Sequence, residues 1–261
     1  MAAPIRVSGE LRFDALNVRV GRDVEQMARD AAAEAASVLR AATSARGEAN
    51  VMLATGNSQL AFLAALVEVP GIAWECVRAF HMDEYVGLPP SHRASFQRYM
   101  RERVAARLPV KEFNYLSGDE SDPEHEAARY AALLRAHPLD LCCAGIGENG
   151  HLAFNDPPVA DFDDPRDVKI VALEPASRRQ QVAEGHFAAI GDVPTHAITV
   201  TIPALLRAGR VLVIAPEARK AKPVHEALYG PVTTACPASI LRRQSNATLY
   251  LDAESSALLE T

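Results

Sequence analysis

Residues 50–58 read NVMLATGNS, an apolar run that ends in a glycine turn. The apolar positions 51–53 have the character of a buried strand. After the turn, Leu60, Leu63 and Val67 fall on one face of a helix. The stretch therefore predicts a strand, a turn and a helix in that order, which is the repeating unit of an α/β protein.

The same order recurs around an apolar strand at 76–80 and again in the segment 139–154. A long amphipathic helix is predicted from Val24, and Gly47 ends it. Asp122 is predicted to cap another helix that has proline at its first position. Four later strands are predicted at 168–172, 197–201, 210–215 and 247–251.

Short apolar strands that alternate with helices favour parallel pairing through right-handed crossovers. The expected fold is a three-layer α/β sandwich with a mostly parallel, Rossmann-like sheet. No repeat and no linker rich in Gly, Ser or Pro interrupts the chain, so residues 1–261 are expected to form a single domain.

Composition excludes several function classes. Acidic residues outnumber basic ones by 33 to 27, which disfavours a surface for nucleic acid. No apolar run reaches about 18 residues, so no membrane span is predicted. The four cysteines show no C-x-x-C spacing and the opening MAAPIRVSGELRFD is not an apolar signal, which together favour free thiols in the cytoplasm.

Ligands of such sheets bind at the carboxyl ends of the strands. The loops at 54–58, 81–92, 145–157 and 215–220 are therefore expected to be neighbours. In the first loop a helix N-terminus follows the glycine turn and suits a phosphate, and an ordinary turn capped by Ser58 is the alternative. In the last loop, Pro223 places Lys220 at the start of a helix, either as a cation for a bound anion or in a solvated basic turn.

Two loops carry groups for proton transfer. Asp83 and Glu84 leave a strand in succession, so at most one of them faces the site, and an exposed turn acid is the alternative. Gly145, Gly147 and Gly150 allow backbone to approach a ligand beside His151. Acidic neighbours can hold a histidine in one tautomer, whereas the alternative is a glycine turn with a surface histidine. No second histidine lies at metal-ligand spacing, so no metal is expected.

Three blocks together resemble the glucosamine-6-phosphate deaminase (isomerase) family: ATGNS at 54–58, FHMDEYVGLPPSH at 80–92 and GIGENGHLAFNDP at 145–157. Its relatives include galactosamine-6-phosphate isomerases and, more distantly, 6-phosphogluconolactonases. The resemblance implies cofactor-free isomerisation of a 2-amino-2-deoxyhexose 6-phosphate, followed by hydrolytic loss of ammonia to give fructose 6-phosphate.

The resemblance also implies roles for individual residues. Asp83 matches the general base that moves a proton from C2 to C1, with Glu84 as its structural or assisting acid. His151 matches the histidine that assists opening of the sugar ring, next to Asn149 and Asp156. The substrate- and phosphate-binding positions that it implies are Thr55, Gly56, Asn57, Ser58, Gly147, Lys220 and an arginine that is either Arg178 or Arg179.

The chain departs from the family pattern at three places. Asn149 stands where the best-studied members have an acid, although some galactosamine-type members share the asparagine. Asp156 replaces a glutamate and is one methylene shorter. The segment 57–59 replaces the last three residues of the usual Gly-Gly-Thr-Pro loop.

Two other functions remain as alternatives. A 6-phosphogluconolactonase would use the phosphate loop and His151 without a base at Asp83. A non-catalytic sugar-phosphate sensor would bring DNA-binding helices and a basic surface, and neither is evident. The sequence leaves open which amino sugar is used and whether the chain forms a homo-oligomer.

Overall fold

The computed structural model describes residues 5–7 and 10–260. Within these residues the backbone forms two β-sheets and seven α-helices. The strands are β1 (Ile5–Val7), β2 (Glu10–Phe13), β3 (Leu16–Val20), β4 (Ala49–Leu53), β5 (Val77–His81), β6 (Asp83–Tyr85), β7 (Glu112–Asn114), β8 (Leu141–Ala144), β9 (Val168–Ala172), β10 (His196–Val200), β11 (Arg210–Ile214) and β12 (Ala247–Leu251).

The helices alternate with these strands along most of the chain. They are α1 (Val24–Arg46), α2 (Leu60–Glu68), α3 (Phe96–Met100), α4 (Pro123–Ala136), α5 (Pro175–Ala183), α6 (Ile202–Leu206) and α7 (Ala221–Tyr229). Short 3-10 turns precede α2 and α7, and a π-helical segment at Arg101–Ala105 continues α3.

The larger sheet has the strand order β1-β2-β3-β12-β11-β8-β4-β5-β7. From β3 to β7 every neighbouring pair is parallel, and only β1 and β2 are antiparallel additions at one edge. The predicted mostly parallel sheet is confirmed. Its central strands β4, β8 and β11 end side by side, which brings the loops after them together.

Helices cover both faces of this sheet. Successive residues of β8, Cys142 and Cys143, belong to apolar clusters on opposite faces, because neighbouring residues of a strand point to opposite sides. Helices α1 and α2 pack with Cys143 on one face, and α4, α6 and α7 pack with Cys142 on the other. The arrangement is the expected three-layer sandwich.

The ends of α1 show how the sequence sets local structure. Asp23 Oδ1 accepts the backbone N–H of Gln26 at 2.7 Å, which satisfies a donor that the first turn leaves unpaired. Gly47 ends the helix with φ +77°, a conformation that glycine adopts without strain. Both ends agree with the predicted limits of this helix.

The smaller sheet was not foreseen. Strands were predicted at 168–172 and 197–201, and they form as β9 and β10, but they pair antiparallel with each other. Strand β6, only three residues long, pairs antiparallel with the other edge of β10. The expectation of parallel pairing was wrong for these strands, because an apolar pattern gives strand character without specifying the partner. The finding matters for the site because β6 begins with Asp83.

No helix in the described part of the chain is both long and apolar enough to cross a bilayer.

Candidate active site

A cleft of about 820 Å³, including the part open to solvent, lies at the carboxyl ends of β4, β5, β8 and β11. All four loops that were expected to be neighbours contribute to its wall. The predicted site residues that line it are Thr55, Gly56, Asn57, Ser58, Asp83, Gly147, His151 and Lys220. Parallel strand order therefore brings residues that are up to 165 positions apart into one space, as Thr55 and Lys220 illustrate.

The loop after β4 surrounds one end of the cleft. Gly56 has φ +102° and ψ 165°, a conformation that is essentially restricted to glycine, and the 3-10 turn Asn57–Gln59 then leads directly into α2. The hydroxyl of Tyr99 donates to the Gly56 carbonyl at 3.1 Å and holds the turn from α3. Backbone N–H groups at such a helix start form a neutral site for an anion.

Lys220 lies in the corresponding loop after β11. Lys220 is only 2% exposed, yet its ammonium forms no hydrogen bond or ion pair with a described residue. Burial and the neighbouring Arg219 lower the pKa of Lys220 to about 8, against opposing effects of nearby carboxylates. A buried cation without a partner at the edge of a cleft is suited to receive an anionic ligand.

Asp83 stands at the start of β6 and faces the cleft. It is 6% exposed, and its Oδ1 is buried without a hydrogen-bond partner among the described residues. Burial, reinforced by the charge of Glu84, raises the pKa of Asp83 well above its usual range. A mostly buried carboxylate with an unpaired oxygen is a stronger base than one on the surface.

Glu84 points the other way and does not line the cleft. Its carboxylate accepts four hydrogen bonds, three of them from the Ser95 hydroxyl and the backbone N–H groups of Phe96 and Gln97. These groups form the start of α3, so Glu84 satisfies the donors of that helix end. Of the two roles left open by the resemblance, the contacts of Glu84 are those of a structural acid.

The ring of His151 packs directly on Gly147. A Cβ atom at Gly147 would come within 2.2 Å of the His151 ring, so only glycine fits there. His151 Nδ1 lies 2.7 Å from Asn149 Oδ1 and 2.9 Å from Asp156 Oδ1. These two acceptors favour the tautomer with its proton on Nδ1, and they leave Nε2 free of any described partner.

Asp156 is fully buried behind His151. Its Oδ1 also accepts from Asn149 Nδ2 at 2.8 Å and from the Ser177 hydroxyl of α5 at 2.7 Å. Although burial opposes ionisation, these hydrogen bonds and that from His151 lower the pKa of Asp156 to about 2. The shorter acid therefore reaches the histidine, and Asn149 and Asp156 support His151 without lining the cleft themselves.

Several wall residues were missed by the sequence reasoning. Helix α5 and the segment after it contribute Gln180, Gln181, Glu184 and His186, and Arg93 also lines the cleft. Glu184 pairs with Arg219, and Arg93 donates to the carbonyl of Gly185. These residues belong to no contiguous motif, because contacts distant in sequence bring them to the cleft.

The structure does not place the predicted phosphate-binding arginine, Arg178 or Arg179, in the cleft. Arg178 does not line the cleft, and its guanidinium donates instead to the carbonyls of Ile190 and Val193, at 2.6 and 2.8 Å. Arg179 is exposed and also absent from the wall. Both arginines lie on α5, which contributes Gln180 and Gln181 to the cleft wall instead.

The arrangement combines a neutral anion loop, an unpaired ammonium, an unpaired carboxylate and an oriented imidazole around one space. Such a set can bind a phosphorylated ligand and move protons on it. In the described residues, His, Cys, Asp and Glu side chains form no cluster able to hold a metal ion.

Comparisons with known proteins identify the family of this chain. Residues 22–250 match the model of the glucosamine-6-phosphate isomerase/6-phosphogluconolactonase family. A glucosamine-6-phosphate deaminase of Exiguobacterium sibiricum is 37% identical over 183 residues, which cover 70% of this chain and 71% of that protein. One of Bacillus thuringiensis is 37% identical over 206 residues, which cover 79% and 76%.

Solved structures show the same fold. A monomeric glucosamine-6-phosphate deaminase superposes with a TM-score of 0.85 at 26% identity, covering 92% of this chain and 99% of that one. A 6-phosphogluconolactonase from Shewanella baltica superposes with a TM-score of 0.73 at 20% identity, covering 90% and 97%. The chain belongs to the glucosamine-6-phosphate isomerase/6-phosphogluconolactonase family.

Proposed function

We propose that this protein is an enzyme that converts glucosamine 6-phosphate and water to fructose 6-phosphate and ammonia. The observation that carries the proposal is that one cleft holds both Asp83, whose buried Oδ1 has no described hydrogen-bond partner, and Lys220, a residue only 2% exposed whose ammonium has no described partner. Two unpaired buried charges of opposite sign are costly for folding, and a phosphorylated substrate that needs a base accounts for both.

The phosphate is bound first by Lys220 and by the loop of Thr55, Gly56, Asn57 and Ser58. A dianionic group gains charge-assisted hydrogen bonds there, and this binding energy holds the rest of the sugar in place. His151 then assists ring opening through Nε2, because Asp156 and Asn149 keep its proton on Nδ1.

Asp83 acts on the open-chain sugar. Its carboxylate removes the C2 proton and returns it to C1, while one proton of the C2 ammonium passes to O1, so the C1 carbonyl becomes a hydroxyl and the amine becomes an iminium at C2. Water adds to that carbon and ammonia leaves, so that one water is consumed for each ammonia released. A raised pKa makes the carboxylate a better base for such a weakly acidic C–H.

The test is ammonia release from glucosamine 6-phosphate by the wild type and by Asp83→Asn. Loss of a general base lowers kcat by about 100-fold or more, while the fold is retained. Because burial penalises the charged form, Asp83→Asn is also expected to unfold at the same or a higher temperature at pH 7. Equal ammonia release by both proteins would contradict the role of Asp83.

Hydrolysis of 6-phosphogluconolactone, measured in parallel, separates the second function. Lactone hydrolysis needs no proton transfer at C2, so a lactonase would be active on the lactone in both proteins and would release no ammonia. Galactosamine and mannosamine 6-phosphates belong in the same screen, because the hydroxyl configuration is recognised by details of the cleft wall.

We further propose a cytoplasmic location. All four cysteines are free thiols, as is usual in a reducing compartment. Fractionation of cells that produce the protein, with a cytoplasmic marker, tests this proposal.

A further inference from the structure

The loop that carries Lys220 begins in an unfavourable backbone conformation. Glu217 has φ +79° and ψ 149°, a region that is essentially restricted to glycine. The other described non-glycine residues with positive φ, Asp14 and Ala153, have φ of 52° and 49°. A glutamate stays in such a conformation only where surrounding contacts hold it.

Asp252 supplies that contact from the end of β12. Its side chain is 1% exposed, and its two carboxylate oxygens accept the backbone N–H of Glu217 at 3.3 and 3.1 Å. Oδ1 also accepts the Ser255 N–H at 2.7 Å. Among the described residues Asp252 has no cationic partner, so backbone donors are what stabilise this buried charge.

The same turn determines where the lysine side chain starts. The Glu217 carbonyl accepts the backbone N–H of Lys220 at 2.9 Å and closes the 3-10 turn. The Lys220 side chain then enters the cleft wall without a partner. A change of φ at Glu217 would rotate this turn and with it the lysine.

We propose that Asp252 is a positioning residue for phosphate binding, because it holds Glu217 in a glycine-type conformation and so keeps the Lys220 ammonium in the cleft. The inference rests on the proposed function only in taking a phosphoryl group as the ligand. It assigns Asp252 no contact with substrate.

The main experiment is a calorimetric titration with inorganic phosphate. Asp252→Ala is expected to raise the Kd at least about tenfold, and to raise KM for glucosamine 6-phosphate in parallel while kcat changes less than about threefold. Asp252→Asn keeps an acceptor oxygen 3.3 Å from the Glu217 N–H but places an amide NH2 where Oδ2 accepts the same N–H at 3.1 Å, so its Kd is expected to lie between those of wild type and Asp252→Ala.

A double variant tests the route through Glu217. Glycine adopts the required φ and ψ unaided, so Asp252→Ala combined with Glu217→Gly should bind phosphate within about threefold of the single variant Glu217→Gly. The single variant is the reference because Glu217 also contributes a carboxylate near Lys220. Failure of glycine to rescue binding would overturn the proposed route.

A pH profile gives a readout that a loss of stability alone would not move. The charged groups that face Lys220 are Arg219 and Glu217 on its own loop, Glu148 in the loop after β8 and Glu184 beyond α5. In Asp252→Ala these groups remain, but a lysine released towards solvent recovers its usual pKa. The alkaline limit of kcat/KM is therefore expected to move up by at least about half a pH unit.

Asp122→Ala is the matched control. Asp122 also accepts two backbone N–H groups, at 3.1 Å each, but it caps α4 away from the cleft. It should lower the unfolding temperature without changing the phosphate Kd. If Asp252→Ala also keeps its Kd within about twofold, Asp252 is structural only and the proposal is wrong.

The phosphate titrations do not depend on whether the protein turns over a substrate. A wild type that binds phosphate but releases no ammonia would contradict the proposed function, while the phosphate titrations of the Asp252 variants would still decide this inference. A wild type that binds no phosphate would overturn this inference directly.

Discussion

The loops after β4 and β11 have nearly the same backbone course but different chemistry. Gly56 and Glu217 share a glycine-type conformation, with φ and ψ of 102° and 165° in one and 79° and 149° in the other. Each residue precedes a three-residue 3-10 turn and then a nine-residue helix. The two loops flank the end of β8 in the same sheet.

Their third turn residues, Gln59 and Lys220, are equivalent and both buried. The φ and ψ of Gln59 are −92° and −12°, and those of Lys220 are −91° and −10°. The Gln59 side chain donates to the carbonyl of Ile214 at the end of β11, whereas the Lys220 ammonium has no described partner. The same backbone conformation therefore presents uncharged N–H groups in the loop after β4 and a lysine ammonium in the loop after β11.

The comparison also separates two ways of maintaining an unfavourable turn. Gly56 needs no support for its φ, because glycine has no Cβ. Glu217 depends on a carboxylate 35 residues away. A loop of the first kind is visible in sequence, and one of the second kind is not.

The largest expected effect comes from removing the cation of the second loop. Lys220→Met should raise KM for glucosamine 6-phosphate by about 10- to 100-fold, because a charge-assisted hydrogen bond to phosphate contributes about 1.5–3 kcal/mol. Steady-state kinetics of ammonia release measure this change in KM. Lys222→Met is the matched control, since the Lys222 side chain is 81% exposed on α7, directly after the turn that holds Lys220, and its loss should leave KM unchanged.

The two loops should also respond differently to pH. The pKa of Lys220 is lowered to about 8, so kcat/KM of the wild type should fall about tenfold per pH unit above 8 as the ammonium loses its proton. The Gly56 loop contains no titratable side chain, so the residual activity of Lys220→Met should show no such alkaline fall. An identical alkaline limb in both proteins would remove Lys220 as its cause.

The acidic limb reports on a different group. Activity should rise with pH through the raised pKa of Asp83, because the base must be deprotonated, and Lys220→Met should retain this rise.

The smallest effects concern the strained positions themselves. Gly56→Ala should lower the free energy of unfolding by about 1–3 kcal/mol, from backbone strain alone, because nothing lies within 4 Å of the new Cβ. Glu217→Gly should raise it by about 1 kcal/mol, the relief of strain being partly offset by a more flexible unfolded chain. Denaturant titrations measure both.

Two controls separate strain from side-chain loss. Gly191→Ala adds a Cβ in open space at a residue without positive φ and should be nearly neutral. Glu217→Ala removes the carboxylate but keeps the strained φ, so it should not gain stability. A gain equal to that of glycine would show that the Glu217 side chain, and not its backbone, was unfavourable.

Much of the fold could be predicted because its signals are local. Asp23 and Gly47 mark the ends of α1 in sequence, and the apolar runs of β4, β8 and β11 have the expected strand pattern. The pairing of β9 and β10 could not, since antiparallel neighbours leave the same apolar pattern as parallel ones. Sequence patterns therefore predict whether a segment is a helix or a strand more reliably than they predict which strand it pairs with.

The site divides in the same way. Asp83 and His151 could be found because each lies in a contiguous block next to a strand end. Glu184 and Asp252 could not, because each acquires its place through contacts with Arg219 or Glu217 that no spacing encodes. Arg178 was misassigned because its guanidinium satisfies nearby carbonyls, an outcome that depends on how the segment after α5 turns back.

The position of Asp83 links the two sheets through a single residue. Met82 alone separates β5 in the large sheet from β6 in the small one, and its carbonyl accepts the N–H of Val200. The small sheet is not independent of the large one, because Ile198 and Val200 of β10 are fully buried in the same apolar cluster as Cys142 of β8 and Val213 of β11. Loosening of that cluster would displace Asp83, so hydrogen exchange at β10 should rise together with loss of activity and with global unfolding.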